Sequence, residues 1–155
     1  MGNTKSKKYT PTDIEQNFIV KYSIPDTMTV RQVEGGHMNV TQEVQVNREK
    51  VVLAALFMRD SFGWYSQLND DDFYIARITT GTEDQEARDK WAKMVETGVI
   101  NFIFSIVHAF KNAGKTLYAP LPNPILETPR FKKLFGKLFG KYIVFIGKDT
   151  VQLRL

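Results

Sequence analysis

Two stretches of this chain hold residue types whose spacing suits chemistry at a surface. The first is its start. Met1-Gly2-Asn3-Thr4-Lys5-Ser6 fits the pattern M-G-x-x-x-[ST], in which loss of the methionine frees the Gly2 amine for amide linkage to a myristoyl group. Lys5, Lys7 and Lys8 stand close by, and no acid falls among the first eight residues. A single myristoyl chain binds a bilayer only marginally, with K of about 10⁴ M⁻¹. Each lysine near an anionic leaflet adds roughly 1 kcal/mol. The expectation is an acylated Gly2 that inserts and lysines that steer. The plain alternative is a disordered terminus that happens to begin Met-Gly.

The second stretch is Phe131-Lys132-Lys133-Leu134-Phe135-Gly136-Lys137-Leu138-Phe139-Gly140-Lys141, which repeats K-L-F-G in tandem. On a helix a four-residue repeat drifts only about 40° per copy. Leu134 then stacks on Leu138 and Phe135 on Phe139, with Lys132, Lys133, Lys137 and Lys141 around them. A basic amphipathic stretch of this kind suits a lipid interface. The two glycines each weaken the helix by roughly 1 kcal/mol, so a surface would have to help it form. The same residues also suit packing of the leucines and phenylalanines into the core, or direct contact with RNA.

Little else here points to reaction chemistry. The chain has no cysteine, which removes disulfides, thiolate zinc sites and a cysteine nucleophile. Its two histidines, His37 and His108, lie far apart in the sequence, the first in a predicted turn and the second on the polar stripe of a predicted helix. Asp70-Asp71-Asp72 lacks the spaced ligands and turn glycine of a calcium loop and reads as a solvated linker. No H-E-x-x-H, G-x-S-x-G, phosphate-binding or dinucleotide loop is present. Trp64, Tyr65 and Trp91 read as core or interface anchors. The expectation is a non-enzymatic protein with no cofactor and no metal, apart from the covalent acyl group.

The elements that must position the two basic stretches follow from periodicity. Residues 1–13 read as a mobile basic arm and 14–155 as one globular domain. Phe18, Val20 and Tyr22 alternate with Ile19, Lys21 and Ser23, which predicts a strand from about Asn17. Glu34-Gly35-Gly36-His37 predicts a turn, and Val40, Val44 and Val46 a returning strand. Asn47 can cap a helix over Arg48–Phe62. Phe73–Ile78 reads as a strand. Thr82 and Gln85 form a capping box for a long helix, about 83–113, stopped by Gly114. In that helix Asn101, Ser105, His108 and Asn112 step by four, three and four, so they make one narrow wet stripe on an otherwise apolar rod. Lys90, Lys93 and Thr97 extend the stripe backwards, and Gly98 marks a bend or a close packing contact. Leu117–Pro129 is extended and proline-rich, either an ordered crossover or a linker. Residues 142–155 read as a closing hairpin. The fold class expected is α+β: an antiparallel β-sheet covered by two main helices, one of them long.

The bulk numbers agree with one domain: 155 residues, 43% hydrophobic and 12% aromatic. The net charge of +4 is unevenly spread. Residues 1–8 carry +3, residues 130–141 carry +5 and residues 142–155 carry +1, which leaves −5 on the body between. An acidic body with two basic ends is suited to orientation against an anionic partner rather than to uniform nucleic-acid binding. No run reaches the roughly 18 apolar residues of a membrane-spanning helix, and the start lacks the apolar core of a secretory signal. A protein of this kind that meets a membrane lies on it.

Taken with Val33-Glu34-Gly35-Gly36-His37 and the order of elements after it, the acylated basic start resembles the matrix proteins of enveloped negative-strand RNA viruses. The likeness is to the bornavirus and rhabdovirus type and spans about half the chain. Retroviral matrix domains share the Met-Gly start with nearby lysines but are helical. The resemblance implies binding to anionic lipids at the cytoplasmic face of the host plasma membrane and the inner face of the virion envelope. It also implies self-assembly there, with a viral nucleocapsid or RNA as further partner and no small-molecule substrate. P-P-x-Y and P-[ST]-A-P budding motifs are absent, and Tyr118-Ala119-Pro120-Leu121 departs from the Tyr-Pro-x-Leu type. The rival readings are a myristoylated soluble adaptor or pathogen effector that binds a host protein at the membrane, and a small enzyme built around His37 or His108.

Overall fold

The computed structural model describes residues 10–46, 48–59, 72–80, 92–115, 117–120, 129–130, 133–134, 137, 143–146 and 150–153. The fold is α+β. Helix α1 (Asp13–Tyr22) leads into strand β1 (Thr29–Val33), a tight turn (Glu34–Gly36), then β2 (His37–Val46), β3 (Glu49–Arg59) and β4 (Phe73–Thr80). After the long helix α2 (Ala92–Asn112) come β5 (Leu117–Pro120), β6 (Ile143–Ile146) and β7 (Thr150–Leu153). Strands β1 to β4 form an antiparallel sheet in sequence order, and β5, β7 and β6 form a second, antiparallel sheet in that order. The segments 1–9, 60–71, 81–91 and 121–128 lie outside the described residues, and so do Asn47, Thr82, Gln85, Trp64, Tyr65, Trp91, Asp70 and Asp71.

Both helices cover one face of the first sheet. On that face the register sets Met38 against Phe57, Val40 against Ala55 and Val44 against Val51. Gly98 of α2 sits over Leu53 and Val44, and Phe18 of α1 meets the rings of Phe57 and Phe73 at 5.5 and 5.1 Å. The helices touch where Tyr22 stacks on Phe110 at 4.4 Å, and Phe110 in turn lies 5.7 Å from Phe57. This aromatic cluster is the centre of the core. A bulge opposite Leu56 and Phe57 leaves Ala76 as an extra residue in β4, so Phe57 faces Ile75 while Leu56 faces Arg77.

Two expected elements are exchanged in type. The segment from Asn17 is not a strand but part of α1. Thr12 caps it: the Thr12 Oγ1 accepts the Glu15 N–H (3.2 Å) and the Glu15 Oε1 accepts the Thr12 N–H (2.9 Å), a complete capping box. Phe18 and Tyr22 are one helical turn apart and buried, whereas Val20 between them is 69% exposed. Thr12 and Asp13 thus belong to the body rather than to an arm. The expected helix at Arg48–Phe62 is instead strand β3. Its odd residues Val51, Leu53, Ala55 and Phe57 enter the core, and its even residues Val52 to Met58 are half-buried on the other face. With both faces partly covered, the apolar run does not alternate and reads as a helix. The turn before it leaves two residues between the paired Val46 and Glu49, and Arg48 takes φ +71° there.

Other expectations hold. Gly35 and Gly36 turn with φ +83° and +77°. Asn101, Ser105, His108 and Asn112 are all exposed along α2. Gly114, at φ +67°, ends that helix, and the Lys115 N–H reaches back to the Phe110 carbonyl (2.9 Å). The closing hairpin is β6 and β7.

Candidate functional site

Helix α1, the β1–β2 turn and the adjoining ends of β3 and β4 enclose a half-open cleft of about 650 Å³. Its floor is apolar: Phe18, Met38 and Phe73 line it and are buried. Polar groups stand around them, namely Asn17 and Lys21 from α1, Gln32 from β1 and Arg59 from β3. Ile14, 52% exposed, adds an apolar side chain from the first turn of α1.

Three side chains brace this cleft by accepting backbone amides of another element. The Glu15 Oε2 takes the Gln32 N–H (2.7 Å), the His37 Nδ1 takes the Arg59 N–H (3.2 Å), and the Tyr22 hydroxyl takes the Phe73 N–H (3.1 Å). Gln32, Arg59 and Phe73 all line the cleft, so each brace fixes a wall. A side chain that bonds a backbone amide of a distant segment sets the position of that segment, not merely its burial. Gly35 must be glycine for the His37 brace: besides its positive φ, a Cβ there would stand 2.9 Å from the His37 Nε2. Since the Nδ1 accepts, the neutral ring of His37 carries its proton on Nε2.

The electrostatics divide the two cations. Lys21 pairs with Asp72 at 3.3 Å and lies 5.2 Å above the Tyr22 ring. Arg59 is exposed, with its guanidinium 5.3 Å from the Phe73 ring centre. Among the described residues no carboxylate lies within ion-pair reach of Arg59. Burial raises the Tyr22 phenol well above its ordinary value, opposed by the Phe73 amide; the neighbouring Asp72 carboxylate raises it further. Tyr22 is therefore a neutral hydroxyl in this network. Burial also works to raise the Glu15 carboxyl, but the Gln32 and Thr12 amides, the Thr12 hydroxyl and nearby Arg31 outweigh it and hold Glu15 below the ordinary carboxylate range. No group of three or more His, Cys, Asp or Glu side chains among the described residues is placed to hold a metal ion.

No family model, no curated protein and no solved structure matches this chain.

Of the membrane-binding residues named from the sequence, Gly2, Lys5, Lys7, Lys8, Lys132, Phe135, Leu138, Phe139 and Lys141 lie outside the described residues. Lys133 and Lys137 are helical, one turn apart and exposed. Leu134 is half-buried and packs against the core cluster, which commits it to the fold. Arg130 ties this segment to α2, donating to the Thr97 Oγ1 (2.9 Å) and pairing with Glu96 at 3.8 Å. No helix among the described residues is long and apolar enough to cross a membrane. Sequence reasoning did not find the cleft. The signal that could have located its first wall is Thr12-x-x-Glu15 followed by Phe18 and Tyr22, a capping box leading into an apolar stripe with a four-residue step.

Proposed function

We propose that this is a non-enzymatic peripheral membrane protein of matrix type. It binds the inner leaflet through a myristoylated Gly2 with Lys5, Lys7 and Lys8, and through the basic segment around Lys132, Lys133, Lys137 and Lys141, and it self-assembles there. The observation that carries the reading is the acylation pattern set directly beside lysines in a chain whose body is acidic. The exposure of Lys133 and Lys137 on one side of a segment anchored inward by Leu134 supports it. In this arrangement Leu134 is the bolt and the lysines are the contact, with Phe135, Leu138 and Phe139 assigned to the acyl boundary. Such binding weakens with salt, because surface charge is screened over about 8 Å at physiological ionic strength.

Liposome flotation tests this. Full-length protein co-expressed with an N-myristoyltransferase, and its Gly2→Ala variant, are floated with anionic vesicles at low and high salt. Flotation that requires the acyl group and falls with salt is the expected result. Protein confirmed as acylated by intact mass that still stays in solution would overturn the proposal and favour a soluble adaptor.

A further inference from the structure

We infer that α2 lies along the anionic leaflet with its polar stripe against the lipid headgroups. The inference rests on the membrane reading above and adds to it the side of the folded domain that meets the bilayer.

The stripe of Asn101, Ser105, His108 and Asn112 is exposed, on a helix whose other positions from Val99 to Phe110 are buried. It is also free of acid. No Asp or Glu occurs from Thr97 to Leu126, in a body that carries −5 overall. Like charges pressed together are costly, so a face apposed to anionic lipid must lack carboxylates. Cations stand at both ends of the stripe. Lys111 and Lys115 are exposed at its foot. At its head Arg130 donates to the Thr97 Oγ1 (2.9 Å) and pairs with Glu96 at 3.8 Å. That clasp fastens the basic segment there and brings exposed Lys133, three residues on, to the same end. From Thr97 to Lys111 the helix runs about 21 Å. Positive charge at both ends favours an axis parallel to the surface over one standing on end. Between the ends, the Asn101 and Asn112 carboxamides can donate to phosphate oxygens, while the Ser105 hydroxyl is engaged by the Asn101 carbonyl (3.0 Å). The exposed large apolar side chains among the described residues, Ile14, Val20 and Val33, all lie off α2. The stripe therefore rests on headgroups, and insertion is left to the acyl chain. It carries no exposed Phe, Tyr or Trp for bases to stack on, which favours headgroups over single-stranded RNA.

The test uses full-length protein co-expressed with an N-myristoyltransferase and phosphatidylserine–phosphatidylcholine vesicles at low salt. Asn101→Glu and Asn112→Glu each place an acid on the stripe. Gln45→Glu places one on the sheet face turned away from α2, since its neighbour Val44 lies under Gly98. Each stripe variant is expected to bind about fivefold less, and the difference to vanish on phosphatidylcholine alone. Lys111→Gln is expected to act in the same direction, and Gln45→Glu to bind as wild type. Urea unfolding checks that the variants fold. If wild type floats and the stripe variants float equally well, the inference is overturned and the membrane reading stands. An equal loss in Gln45→Glu would also overturn it, as would a loss confined to binding of a uridine oligomer. If acylated wild type itself stays in solution, the membrane reading fails and takes the inference with it.

Discussion

Helices α1 and α2 cover the same face of one sheet, but the bonds that hold them there differ in kind. From Val99 to Phe110, nine of twelve residues of α2 are buried, and the exposed ones fall on a single stripe. Its attachment is spread over many apolar side chains. Helix α1 buries three of its ten residues, Glu15, Phe18 and Tyr22. Two of those three also accept a backbone amide from a strand. Apolar burial carries no charge and does not respond to pH, whereas a helix that adds a few polar bonds to two buried rings depends also on the charge of the partners in those bonds. The cleft lies on the second kind of helix.

The contrast predicts graded effects. The largest belongs to Phe110, where the two attachments meet. Phe110→Ala removes a fully buried ring stacked on both Tyr22 and Phe57, and should cost about 3–5 kcal/mol in urea unfolding. Next comes Glu15. Glu15→Gln should cost about 2 kcal/mol at pH 7, through a weakened cap and a weakened bond to Gln32. Because folding lowers the Glu15 carboxyl below its unfolded value, its contribution is complete above the ordinary carboxylate range and lost as pH falls through the lowered value. Wild type and Glu15→Gln should therefore converge in stability under acid. Amide exchange gives the sharper reading: protection should drop in α1 and persist in α2, and an equal drop in both would break the comparison.

Two smaller effects concern α2. Gly98→Ala should stabilise by about 0.5–1 kcal/mol, since a Cβ there meets Leu53 and Val44 at an ordinary 3.8 Å and the helix gains propensity. A loss instead would mean that α2 is packed more tightly on the sheet than its apolar attachment implies. Arg130→Ala should change thermal stability by no more than about 0.5 kcal/mol, because its pair with Glu96 is solvent-exposed.

The same contrast explains what could be read from the sequence. Helix α2 was legible because Asn101, Ser105, His108 and Asn112 print its period on a long apolar run, and Gly114 marks its end. The Gly35-Gly36 turn, β2, β4 and the closing hairpin were legible from turn chemistry and alternation. Helix α1 was not, because ten residues with three buried positions give a weak period, and Val20 between Phe18 and Tyr22 imitates a strand. Strand β3 was not, because partial cover on its outer face erased the alternation. The cleft was out of reach for a further reason. Its walls come from α1, β1, β2, β3 and β4, and what unites them is a set of side-chain-to-amide bonds across 17 to 51 positions of sequence. Local spacing carries no trace of such bonds.

Glu15 has one more effect, on how molecules of this protein can meet. β1 is the outermost strand of its sheet, the kind of border where another chain can zip on by its backbone. The Gln32 N–H is a donor on that border, and it already holds a charged oxygen at 2.7 Å. A strand arriving from a neighbour would have to displace that oxygen, whose twin on the same carboxylate caps α1. The carboxylate that starts the helix thus also occupies one of the backbone donors on this border.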